Sequence, residues 1–200
     1  MGTVDGQAVG WPAGASVGYT LYPSTFPSSV QGSVSTAISG AFSTWAQVTG
    51  LSFPQATSVG KPVARLDGVK SVFAKKMRAG VLAVTYLWWY TSGPNAGHFA
   101  EFDLVFNTLY PWSYTVPVGD TSVDPSYDDP SNSGVASTYD LRNIATHEAG
   151  HAVGLDDLYD ESTALLTMYG YGATAELKKD SLGKGDCLGM QAIYGAFTCP

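Results

Sequence analysis

Basic residues are the first shortage: ten Lys and Arg stand against 17 Asp and Glu, for a formal charge of −7. Phosphate backbones are bound by clustered cations. The one tight cluster here, Lys75-Lys76 with Arg78, reads as a solvated loop or strand end. A nucleic-acid partner is therefore excluded. Long apolar runs are also missing. A bilayer span needs about 18 or more, and the longest stretch, Val81 to Tyr90, is short and aromatic and reads as a buried strand. No membrane association is expected. Cysteine is nearly absent, with only Cys187 and Cys199, and the CxxC spacing of a metal site is lacking. The two lie close enough to close a small loop in an oxidising compartment; two free thiols are the slightly less favoured alternative. No signal-peptide pattern opens the chain, and this suits a secreted mature domain and a cytosolic protein equally.

What is present suits a compact globule. Hydrophobic residues make up 44% and charged ones only 14% of 200 positions, which argues against disorder and allows one domain, or one domain with two lobes around a cleft. Val17 to Tyr22 reads as a strand stopped by Pro23. Val30, Val34, Ile38, Phe42 and Trp45 then recur at helical spacing, predicting a helix over about 29–48 that Thr49-Gly50 ends. Short strands follow at Leu51–Phe53, Val69–Phe73, Val81–Tyr90 and Glu101–Asn107. In the last of these Phe102, Leu104 and Phe106 alternate with Glu101, Asp103 and Val105, giving one apolar face. Residues 109–137 form a long aperiodic loop, which in a compact domain is usually functional. A second helix is predicted over about Asp140–Val153, with Thr138 or Asp140 as N-cap, and a last one over Gly185–Tyr194. This order of elements is an α+β arrangement.

The chemistry lies in the second helix. His147 and His151 are four residues apart, so both imidazoles share one helix face and can share one metal ion. Glu148 sits beside the first of them, where its carboxylate can take a proton from a metal-activated water without binding the metal. A two-histidine helix with no metal is the plain alternative for this pentapeptide. Gly154, three residues after His151, can adopt positive φ and stop the helix in a sharp turn. Asp157 then falls where a third ligand is required, with Asp156 as its neighbouring competitor, and Leu166-Thr167-Met168-Tyr169-Gly170 has the form of a tight turn centred on methionine.

With these residues the chain resembles the metzincin clan of metallopeptidases, whose motif is HExxHxxGxx(H/D) followed by a Met-turn, and within it the matrixin-like peptidases of bacteria and archaea. The likeness extends to Trp45–Gly50, Leu82–Tyr90, Glu101–Asn107 and Gly185–Gly195, and so covers most of residues 11–195. It implies a twisted, mostly parallel five-stranded sheet with two long helices, an N-terminal subdomain over 1–154, and a smaller irregular C-terminal subdomain over 155–200. It also implies one catalytic zinc held by His147, His151 and Asp157, with Glu148 as general base and Met168 as a hydrophobic floor. Most metzincins carry histidine as third ligand; the aspartate is similar to that of snapalysin-like peptidases, and it leaves the site one positive charge lower. The tyrosine that assists in astacin-like and serralysin-like relatives is replaced by Gly170, with Tyr169 following the matrixin pattern.

By the same resemblance, the strand carrying Glu101, Phe102, Asp103 and Leu104 is the edge that lines the cleft and pairs with an extended polypeptide substrate, a strand buried inside the sheet being the alternative, while Tyr169 and Tyr171 line the pocket beyond the scissile bond. Such a peptidase would be secreted and monomeric. His98 reads as an unmetallated turn residue. The acidic stretch Asp120, Asp124, Asp128, Asp129 and the group Asp156, Asp160, Glu161 offer hard oxygens to calcium, though solvated loops are the stronger reading of both. Two competing functions are a catalytically weak peptide-binding domain, which the retained Glu148 speaks against, and a structural zinc module, which needs a fourth ligand.

Overall fold

A computed structural model describes residues 3–4, 6–117, 133–195 and 199. A two-residue antiparallel ribbon, β1 (Thr3–Val4) with β2 (Gln7–Ala8), leads into β3 (Tyr19–Leu21). Helix α1 (Val34–Thr49) follows, then β4 (Gln55–Thr57), β5 (Ser71–Lys75), β6 (Ala83–Trp89) and β7 (Phe99–Asn107). Beyond these come β8 (Trp112–Ser113), β9 (Tyr139–Asp140), α2 (Leu141–Ala152) and α3 (Lys184–Tyr194). The main sheet has the order β4-β3-β5-β7-β6. All its pairings are parallel except β6 with β7, so the fold is α+β with a mostly parallel five-stranded sheet, as expected.

The apolar stripe of α1 packs Ile38, Phe42 and Trp45 wholly out of water, each worth roughly 1.5–3 kcal/mol. The helix begins at Val34 and not near 29, because residues 28–33 form consecutive turns and Ser and Gly are weak helix formers. Gly50 ends it at φ 66°, its N–H bonding Ala46 O. Against α1 lies α2. Trp45 Nε1 donates to Thr146 O at 2.7 Å, and the Arg142 guanidinium donates to Thr44 Oγ1 at 2.6 Å. Gly40 permits that crossing, since a Cβ there would lie 1.7 Å from Arg142 Nη1.

Two strand assignments need correcting. Leu51–Phe53 contributes only an isolated bridge through Ser52, and the strand forms at Gln55–Thr57. More consequentially, β7 is not the edge of the sheet: β5 pairs one side of it and β6 the other. Its backbone is therefore occupied, and Glu101, Phe102, Asp103 and Leu104 are all buried. None of the four can line the cleft. Phe102 and Leu104 pack in the core beneath the helices. Glu101 and Asp103 point to the opposite face, where they accept hydrogen bonds from backbone amides of residues 65–71. The edge is β6, whose apolar sequence had suggested burial; instead Tyr86 and Trp89 are exposed.

The ends of the long 109–137 loop are clasped. Strands β8 and β9 pair in parallel, and Asp140 accepts from Thr115 N at 2.7 Å while capping α2 through Asn143 N at 3.0 Å. The acidic stretch Asp120–Asp129 lies outside the described residues. Cys187 and Cys199 form a disulfide. Among the described residues no helix is long and apolar enough to cross a membrane.

Candidate metal centre

Helix α2 carries His147 and His151 on one face, and the chain must then double back to bring a third ligand to them. Gly154 makes the reversal at φ 114°, with Leu155 N bonding Gly150 O at 3.0 Å. A side chain at 154 would meet Val9 O at 2.9 Å, so both the backbone angle and the space demand glycine. Beyond the turn, Leu158 N bonds Met168 O and Gly170 N bonds Leu158 O, each at 2.8 Å. These two bonds lash the 155–158 segment to the methionine turn and hold Asp157 over the histidines.

That turn is itself held from two sides. Asp186, in the first turn of α3, accepts from Thr167 N at 2.9 Å and Met168 N at 3.2 Å. Met168 is buried beneath Gly150, where an added Cβ would lie 2.2 Å from its sulfur. The glycine of His147-Glu148-Ala149-Gly150-His151 is thus what lets the methionine lie against the metal-site helix.

The ring orientations follow from hydrogen bonds. His147 Nδ1 lies 2.8 Å from Thr167 O, and His151 Nδ1 lies 2.8 Å from Leu155 O. A carbonyl can only accept, so each Nδ1 carries the proton and each Nε2 presents a lone pair. Both Nε2 atoms face Asp157 Oδ1, at 3.0 Å and 3.5 Å. Oδ1 is buried without a hydrogen-bond partner. Three lone-pair atoms converging in this way repel one another unless a cation lies between them. Ligands about 2.0–2.1 Å from a common tetrahedral zinc would lie roughly 3.4 Å apart, close to the spacing here. The residues fit the ion.

Among the described residues, His147, His151 and Asp157 form the one group of three or more metal-type side chains gathered within 4.8 Å. Asp156 lines the cleft but is not in that group. His98 is elsewhere, its Nδ1 against Gly10 O at 3.3 Å. The proposed calcium group does not assemble either: Asp160 caps a short turn through Ser162 N, and Glu161 accepts from the Tyr169 hydroxyl. A proton on either Nε2 would take the place of the cation between the imidazoles and Asp157, and it is in that charged form that His147 and His151 hold the Asp157 carboxyl well below the usual carboxylate range. Burial opposes charge on His151, but Asp157, Glu148 and the Leu155 carbonyl outweigh it and raise its pKa.

Glu148 is buried at the floor of a cleft of about 660 Å³ and accepts a 2.6 Å hydrogen bond from Thr85 Oγ1 on β6. The same hydroxyl lies 3.0 Å from the Glu148 carbonyl, so Thr85 ties the edge strand to the metal-site helix. Sequence reasoning overlooked Thr85, although a single threonine inside the apolar and aromatic Val81–Tyr90 run was a signal. It also overlooked Tyr159, whose hydroxyl donates to Asp157 Oδ2 at 2.9 Å and leaves Oδ1 facing the two Nε2 atoms. Tyr171 stands at the cleft wall in edge-to-face contact with Tyr159 and Tyr169. Tyr169 itself is buried behind that wall.

A mostly parallel sheet crossed by a two-histidine helix, a glycine reversal to a carboxylate and a methionine turn beneath define a zinc metallopeptidase of the metzincin type. More particularly, a family model for matrixin matches residues 10–195, and the chain belongs to the matrixin family. No relative among curated protein sequences matches it at a significant level.

Proposed function

We propose that the protein is an endopeptidase that cuts extended polypeptides at the zinc site formed by His147, His151 and Asp157, with Glu148 as general base and acid. One observation carries this reading: the two Nε2 lone pairs and the unpartnered Asp157 Oδ1 converge on one point beside a buried carboxylate. Three ligands leave a fourth position for substrate chemistry, which a closed structural site would lack. When bound there, zinc supplies a Lewis acid that acidifies water and polarises a carbonyl. Glu148 takes the proton from the attacking water and returns it to the leaving amine. Thr85 holds the carboxylate in place for both transfers through its 2.6 Å hydrogen bond.

Substrate pairs with the edge of β6, which is unpaired among the described residues, through main-chain hydrogen bonds, a role that passes to this strand because β7 is already paired on both sides. Tyr171, exposed at the cleft, contacts the residue after the cleaved bond. The Cys187–Cys199 disulfide supports a secreted enzyme.

The deciding assay is casein cleavage by the wild type, by Glu148→Ala and after chelation. Loss of cleavage in both treatments, with zinc still bound by Glu148→Ala, is the expected result. Cleavage surviving both would end the zinc-peptidase reading, and a wild type that binds one zinc without cutting would favour a peptide-binding domain.

A further inference from the structure

Lys179 is only 1% exposed and plays no part in the ligand set or the proton transfers described above. It lies in the short turn Lys178–Asp180, packed behind the methionine turn, and reaches the wall of the cleft. Its Nζ donates to the Tyr169 carbonyl and, at 2.9 Å, to the Tyr171 carbonyl. Its own backbone N–H donates to Asn143 Oδ1 at 2.6 Å, one helical turn before His147. The residue therefore pins the aromatic wall, through its side chain, to the metal-site helix, through its backbone.

Bridging two neutral carbonyls does not require a cation. An amide would serve, and burying an ammonium costs several kcal/mol more. Burial pushes the Lys179 pKa down, and the charged groups that face it are Glu176, Lys178, Asp157 and Glu148. Two of those four are the cleft carboxylates. Asp157 and Glu148 contribute −2, which a divalent ion only cancels; one buried ammonium returns the cleft to +1. A site that develops negative charge on a carbonyl oxygen is served by a positive field that is already in place.

We propose that Lys179 is a positioning residue with an electrostatic role: it fixes the Tyr169–Tyr171 wall, and its buried charge offsets that of Asp157, so that the metal-loaded cleft stays net positive. This rests on the metallopeptidase reading above.

The sign of one measurement separates charge from scaffolding. Lys179→Gln keeps N–H donors without the charge, and Lys179→Arg keeps the charge. Zinc affinity of each metal-stripped protein is read by competition with a chromophoric chelator, and casein cleavage is followed at saturating zinc. In Lys179→Gln, zinc should bind roughly three- to tenfold more tightly, because a like charge has been removed. Cleavage should fall by a similar factor, and Lys179→Arg should restore both towards wild type. Unchanged or weaker zinc binding in Lys179→Gln overturns the proposal, since a scaffold defect loosens the site. Lys179→Met serves as a second neutral variant, with folding checked by circular dichroism melts; if neither neutral variant folds while Lys179→Arg does, the residue is structural and the proposal falls. A wild type that neither binds zinc nor cuts casein defeats the peptidase reading itself, whereas an active wild type with indistinguishable variants defeats only the role of Lys179.

Discussion

Two pairs of carboxylates lie on opposite sides of the sheet, and they are treated differently: Glu101, Asp103 and Glu148 are buried and Asp157 is half-buried. On the outer face, Glu101 accepts from the amides of Asp67 and Gly68, and Asp103 from those of Arg65 and Ser71. Their acceptor capacity is spent on stapling a loop. In the cleft, Asp157 uses Oδ2 for Tyr159 and leaves Oδ1 without a partner, while Glu148 is steadied by a single threonine hydroxyl. A buried polar atom left unsatisfied costs about 1–3 kcal/mol. It persists where a ligand completes it. Saturation marks the structural pair, and the open valence marks the functional one.

The sharpest way to break this contrast is at Asp157. Asp157→Ala should weaken zinc binding by more than roughly a hundredfold, since losing even an outer-shell partner costs about 10–100-fold. Asp156→Ala should leave it near wild type, and metal analysis of both proteins checks this. If only the Asp156 change loses zinc, the ligand assignment is wrong.

The next effect is on stability and belongs to the outer pair. Burial raises the Asp103 pKa to about 6 from an ordinary 3.8, with Glu101 adding like-charge repulsion. A carboxyl whose folded pKa is raised favours the fold when protonated. Its contribution is complete below about pH 4, where it amounts to about 3 kcal/mol, and is lost as pH rises through about 6, with about 2 kcal/mol of it falling between pH 4.5 and 7. Urea melts at pH 4.5 and 7 should show the difference for wild type and less of it for Asp103→Asn, in which Asp180, likewise raised to about 6 by burial, still titrates. An equal pH slope in both would mean that Asp103 is not the titrating group.

Truncating its neighbour, Glu101→Ala, should cost about 1–2 kcal/mol of stability by freeing two loop amides. Zinc content should be unaffected, which differential scanning with and without chelator would check. The smallest effect falls on the cleft. Thr85→Val removes the hydrogen bond to Glu148 but not the base, so cleavage should drop roughly tenfold with zinc binding retained, in line with the loss of one hydrogen bond to a charged group. A loss as deep as that in Glu148→Ala would promote Thr85 from support to chemistry.

Much of this was legible in residues alone. The period of α1, the capped start of α2 at Asp140 and the alternation in β7 report local geometry, and local geometry follows from neighbouring residues. The metal motif is legible for the same reason: His147, His151, Gly154 and Asp157 lie within 11 positions of one another, so helix pitch and one reversal suffice to bring them together. The strand order is different. A strand with alternating carboxylates looks half-exposed, and a strand with Tyr and Trp looks buried. In β7 and β6 both impressions fail, because amides from residues 65–71 cover the carboxylates and because β6 has no strand beyond it among the described residues.

The amino-acid sequence by itself therefore determined the helices, the metal motif and the family, since each rests on short-range spacing. Only the tertiary structure decided which strand borders the cleft, that Thr85 and Tyr159 hydrogen-bond Glu148 and Asp157, and that Lys179 is buried at the wall of the same cleft. Those partners come together across 63 residues for Thr85 and Glu148, and from a turn after the methionine for Lys179. No period or motif carries such distances; the packing of sheet, helix and turn does.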